Sequence, residues 1–200
     1  MSEQKKYEFT GEIKTIFGIE FKQIRAIVNF GCMVAGEIGG WIESEENLSQ
    51  SGNAWVSGDA RVSGNAEVSG NARVSGNARV SGNAEVSGNA WVYGDARVSG
   101  DARVYGDARV YGGARVSGDA EVKKDDDYMV VGGAGRYNRF TTFFKCRDKT
   151  IKVVCGCFFG TIIEFRAKVK ETHKGNKHEK VYLAMADMAE LQISNDEVEK

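Results

Sequence analysis

Proline is absent from the 200 residues, and histidine occurs twice, as His173 and His178. No run of about 18 apolar residues is present, so no membrane-spanning helix is expected. The N-terminal stretch MSEQKKYEFT lacks the apolar core of an export signal. Cys32, Cys146, Cys155 and Cys157 are therefore expected as reduced thiols and the protein as cytoplasmic. A formal net charge of −1 gives no global attraction to nucleic acid. Glycine is abundant, at 25 residues. Abundant glycine without proline points to repeated tight turns rather than to a collagen-like chain.

What is present is a strict repeat. From Ser51 to Val122 the chain reads as twelve consecutive hexads of the form [Ser/Tyr]-Gly-[Asn/Asp/Gly]-Ala-X-Val, with no insertion. Such a period marks a solenoid. Ala, X and Val alternate across a short extended segment, which places Ala and Val on one face and X on the other. X is Arg, Glu or Trp, so that face is expected outside. Ser-Gly-Asn supplies a corner, because Gly accepts positive φ and Asn or Asp tolerates it next best. Three corners close a triangular coil of 18 residues, so the hexads make four coils. At a spacing of about 4.8 Å this section is about 19 Å long.

The flanks read differently. Residues 1–50 hold YEFTGEIKTIFGIEFKQIRAIVNF, two strands around a turn near Gly18, followed by Ile42 and Leu48 in an imperfect hexad rhythm. This part is expected as an N-terminal β cap over the open coil edge. The repeat occupies 51–122 and a charged linker 123–126. Residues 127–200 are expected as a small α+β domain. Its strands are YMVV, RFTTFFKC and TIKVVCGCFF; its helices are GTIIEFRAKVKETHK and EKVYLAMADMAELQI.

The segment Gly39-Gly40-Trp41-Ile42-Glu43, then Asn47-Leu48-Ser49-Gln50, then Gly52-Asn53-Ala54-Trp55-Val56 resembles the start of YdcK-like hexapeptide-repeat proteins. The resemblance covers roughly residues 20–122. It implies a left-handed parallel β-helix and threefold assembly. Such proteins are often described as acyltransferases because of their fold. The C-terminal CGCFFGTIIEF is similar to segments of bacteriophage proteins. Hexapeptide acyltransferases use a histidine near an inter-subunit cleft, whereas residues 51–122 contain none. With no candidate base on the helix, an enzyme is not expected, and no cofactor is implied.

A period of 18 sorts the X positions into three columns. The first is Trp55, Arg73, Trp91 and Arg109, expected to stack by cation–π contact or to present a partner-docking face. The second is Arg61, Arg79, Arg97 and Arg115. The third is Glu67, Glu85, Arg103 and Glu121. Like charges stacked this closely repel unless something acidic faces them. A neighbouring subunit's glutamate column in a homotrimer would serve. So would a small nucleotide-like anion, held by Arg97 and Arg115 with Tyr93 and Tyr111 stacking its base. The alternative is plain solvation. A further class of reading is a structural module whose C-terminal unit captures a protein partner.

Two weaker candidates remain. Gly132, Gly133 and Gly135, with Arg136 and Arg139, form a Gly-rich segment that could cradle a phosphate, although a turn explains it as well. Cys146, Cys155 and Cys157 offer three thiolate ligands for zinc, with His173 as a fourth, but the spacing is not that of paired CxxC motifs. No metal is expected.

Overall fold

A computed structural model describes residues 5–134 and 139–193. Strands β1 (Tyr7–Ile16) and β2 (Ile19–Ala26) form an antiparallel hairpin, joined by β3 (Ile38–Ile42). Twelve two-residue strands follow, one per hexad, from β4 (Trp55–Val56) to β15 (Glu121–Val122). The C-terminal unit contains β16 (Tyr128–Ala134), β17 (Arg139–Lys145), β18 (Ile151–Cys155) and β19 (Phe158–Thr161). Helices α1 (Ile162–His173) and α2 (Lys177–Ile193) complete it. The fold is a β-solenoid of about five turns with a β-rich N-terminal part and a C-terminal domain carrying two helices.

The 18-residue stacking is realised in all three columns. Trp55, Arg73, Trp91 and Arg109 pair in parallel register. So do Arg61, Arg79, Arg97 and Arg115, and Glu67, Glu85, Arg103 and Glu121. Every hexad Ala and Val is buried in one continuous core. The corner glycines, Gly52 through Gly118, hold φ between 62° and 73°. A Cβ on Gly88 would lie 2.8 Å from the Gly106 nitrogen in the next coil, so close stacking as well as handedness demands glycine there. The Asn that follows adds a side-chain ladder. Asn53 donates to Asn71 at 2.9 Å, Asn71 to Asn89 at 3.0 Å, and Asn89 to Asp107 at 3.0 Å. Aspartate only accepts, so it ends the ladder.

Each coil donates its N–H groups to the carbonyls of the next, as in Arg61 N–H to Ala78 O at 2.9 Å. The first coil is therefore left with free carbonyls and the last with free N–H groups, and both ends are chemically matched. At the carbonyl end, the Lys6 ammonium donates to Ala54 O at 2.9 Å, and the Asn47 amide to Ala66 O at 2.8 Å. Trp41 N–H of β3 meets Ala60 O at 3.0 Å. At the other end, Arg109 N–H donates to Asp125 Oδ1 at 2.7 Å and Arg115 N–H to Thr142 Oγ1 at 2.9 Å. Asp127 Oδ2 accepts from Lys123 N–H at 2.8 Å and Lys124 N–H at 3.0 Å. The charged segment expected as a linker is thus an ordered cap, with a 3-10 turn over Asp125–Asp127. Ile42 and Leu48 stack on Val62 and Val68, so the coil begins ahead of the strict hexads.

The C-terminal sheet runs β16-β17-β18-β19. Its alternation serves two layers: Tyr128, Phe144 and Cys146 close the solenoid core, while Met129, Phe143 and Val153 pack under Phe165, Tyr182 and Met185 of the helices. TIKVVCGCFF is not one strand. Gly156, at φ 63°, turns the chain so that Cys155 pairs with Phe158 across a hairpin.

Candidate anion-binding pocket

The second column divides. Arg61 lies near the N-terminal hairpin, and its Nε is buried without a hydrogen-bond partner among the described residues. Burial, then the Arg61 and Arg97 guanidinium groups, lowers the Arg79 pKa from its usual range. Arg97 and Arg115 open instead on a cavity of about 300 Å³ that also receives Asp95, Gly113, Arg139, Phe140 and Gly156. Among the described residues, no carboxylate lies within salt-bridge distance of any of the four column arginines, whereas Arg25 and Arg103 each have one and Arg166 has two. The pocket therefore joins the arginine ladder to a residue that the sequence placed in a separate candidate, Arg139.

Two missing side chains make this junction. Gly113 is the one hexad in which the third place is neither Asn nor Asp. A Cβ there would lie 2.3 Å from the Phe140 ring, so the ring occupies the volume that a ladder asparagine would fill. A Cβ on Gly156 would lie 2.7 Å from an Arg139 Nη atom, so the β18–β19 turn leaves room for that guanidinium. Phe140 was missed by the sequence reading. The break in the repeat at Gly113 was the signal that could have found it.

The repeat has a counterpart among known proteins. The YdcK β-solenoid repeat matches at residues 66–82, 72–88, 78–94 and 102–118. The chain is a YdcK-like repeat β-helix protein. No curated protein matches it.

Several expected site residues of this YdcK-like protein sit elsewhere. Tyr93 and Tyr111 do not line the pocket. They stack on each other at 5.5 Å, and Tyr111 meets the edge of Tyr128, whose hydroxyl donates to Arg109 O at 2.7 Å. Their rings are spent on packing at the corner between the first two columns. Trp55 belongs to no docking face: it is 2% exposed, packed against Phe30 and Tyr7 of the N-terminal part. Trp91, 42% exposed, is flanked by the guanidinium groups of Arg73 at 5.2 Å and Arg109 at 5.9 Å. Arg73 also donates to Cys32 Sγ.

In the third column Glu85 pairs with Arg103 at 3.3 Å and Glu121 accepts from the Tyr105 hydroxyl at 2.9 Å, while Glu67 is exposed. Gly132 and Gly133 are part of β16 rather than of a phosphate loop, and Gly132 lies against Phe140. Gly135 and Arg136 lie outside the described residues.

The four candidate zinc ligands are split by the sheet. Cys155, Cys157 and His173 line a cavity of about 360 Å³ beneath the helices, whereas Cys146 faces the solenoid beside Asp119 and Asp148. Burial pushes the Cys146 thiol up to about 12, and the Lys152 ammonium sits on Asp119 at 2.5 Å, taking the place a cation would occupy. No helix among the described residues is long and apolar enough to cross a membrane.

Proposed function

We propose that this is a non-catalytic binding protein whose rigid β-helix and C-terminal domain together hold a small anion. The observation that carries the reading is the convergence of Arg97, Arg115 and Arg139 on one cavity. Guanidinium groups at a stacking distance of about 4.8 Å repel in the empty state, and a phosphate or carboxylate relieves that repulsion through paired N–H···O bonds. The backbone of the ladder is fixed by strand pairing, so the ordering cost of binding falls on the side chains alone. The pocket is lined by no histidine among the described residues, which supports binding over acyl transfer.

The resemblance of CGCFFGTIIEF to bacteriophage segments favours one concrete form, sequestration of a nucleotide-like signal in a host cytoplasm. In a threefold assembly the arginine column of one subunit faces the glutamate column of the next. Light scattering that gives a monomer at micromolar concentration defeats that assembly.

Calorimetric titration of the full chain with inorganic pyrophosphate tests the pocket. Binding is expected, with loss in Arg97→Glu and Arg115→Glu. Absence of binding, or affinity unchanged in both variants, refutes the anion site. A second reading is favoured by Ile163, Met188 and Leu191, which leave apolar surface exposed on the helices. In that reading the C-terminal unit captures a protein partner and the β-helix is a spacer. It predicts no small-molecule affinity.

A further inference from the structure

Three arginines would suffice for a bare phosphate, yet the same cavity contains a carboxylate and an open aromatic ring. Asp95 opposes a simple anion there, because its charge repels what the arginines attract. It has no cation within salt-bridge distance among the described residues, and its one ladder contact is the Asn77 amide at 3.2 Å. The ladder cannot continue, since the next place is Gly113. A carboxylate has about four acceptor positions, so Asp95 retains capacity for N–H donors. Phe140 is held between Gly113 and Gly132, neither of which has a side chain to displace it, and is 49% exposed. An exposed ring fixed at the wall of a cationic cavity is a stacking platform for a flat heterocycle.

The ligand that satisfies all three elements is anionic at one end, flat at the other, and presents adjacent N–H donors on its edge. Among the nucleobases, guanine alone offers two neighbouring donors, N1–H and the exocyclic amine, matching the two oxygens of a carboxylate. Adenine and cytosine place an acceptor nitrogen beside their amine, and uracil flanks its N–H with carbonyls; each sets a lone pair against the Asp95 charge. A cavity of about 300 Å³ is at the small end of ligand sites, which suits one nucleotide rather than two.

We propose that the pocket binds a guanine mononucleotide, with phosphate among Arg97, Arg115 and Arg139, the base on Phe140, and its N–H edge on Asp95. This rests on the anion-site reading above. The geometry makes Asp95 the specificity-determining residue and Phe140 the affinity-determining one for any base.

The test is calorimetry of the full chain at fixed salt with GMP, AMP and inorganic phosphate. GMP is expected to bind about tenfold or more tighter than AMP, the discrimination that one good bidentate edge contact gives. Asp95→Asn, which keeps the acceptor for Asn77, is expected to bring GMP to the level of AMP without weakening phosphate. Phe140→Leu is expected to weaken GMP and AMP together and to leave phosphate unchanged. Thermal unfolding matching the parent chain verifies that each variant is folded. Equal affinity for GMP and AMP, or guanine preference that survives Asp95→Asn, overturns this assignment while leaving the anion pocket standing. Failure of phosphate and both nucleotides to bind overturns both.

Discussion

Replacing Asn47 interrogates the capping of the coil stack most directly. Its side chain is fully buried. The amide nitrogen donates to Gly64 O at 2.9 Å and Ala66 O at 2.8 Å, and the amide oxygen accepts from Glu43 N–H at 3.1 Å and Ser44 N–H at 2.9 Å. Asn47→Ala strands the Ala66 carbonyl in a place where water is excluded, and frees Gly64 O and Ser44 N–H, while Glu43 N–H keeps Val62 O at 3.0 Å. At about 1–3 kcal/mol for each buried group left without a partner, and with partial rescue by solvent at Gly64 and Ser44, the loss should be about 2–4 kcal/mol. Asn47→Asp is nearly isosteric and discriminates hydrogen bonding from packing. The new carboxylate keeps the two N–H donors but faces two carbonyl oxygens. Its folded-state pKa must therefore lie above the unfolded value. The unfolded state then binds fewer protons across that window, so the variant loses stability as pH rises through it and recovers as pH falls. Urea unfolding at pH 5 and pH 7 measures both effects. An Asn47→Ala loss under about 1 kcal/mol, or an Asn47→Asp stability that does not improve toward pH 5, would refute the claim that this amide caps the stack.

Gly113→Asn restores the repeat pattern and offers Asp95 a ladder partner, yet should destabilise by about 1–3 kcal/mol because its Cβ collides with the Phe140 ring; a gain in melting temperature would contradict it. Thr142→Val removes the acceptor of Arg115 N–H at the opposite end and should cost about 1–3 kcal/mol in chemical unfolding. Burial lowers the Lys6 pKa from 10.5 to about 8. Between those values the unfolded chain binds the extra proton, so this group makes stability rise with pH across the window. The rise should vanish in Lys6→Met, compared by urea unfolding at pH 7 and pH 9.5.

The columns, the glycine corners and the buried Ala and Val faces were legible because each follows from a local rule repeated every six residues. The sequence also exposed the first hairpin: Ile16 and Ile19 flank the turn residues Phe17 and Gly18, both at positive φ, which matches the twist of paired strands. Trp55 shows where such rules stop. It occupies an outward place in its hexad, yet Phe30 and Tyr7 cover it. Nothing within residues 51–122 reports the arrival of a distant hairpin. Cys146 and Cys155 illustrate the same limit, since strand alternation sends them to opposite faces of one sheet.

The repeat alone determined that amino acids 18 apart lie over one another, because three six-residue sides close each coil and a slip of one residue would take Val off Val. Tertiary structure decided which members of each column remain available. The N-terminal hairpin crowds one end of the arginine ladder. At the other end, the C-terminal sheet adds Arg139 and Phe140 to Arg97 and Arg115. That difference arises from contacts between segments remote in the chain, where burial and charge depend on what packs alongside rather than on the pattern of the hexads.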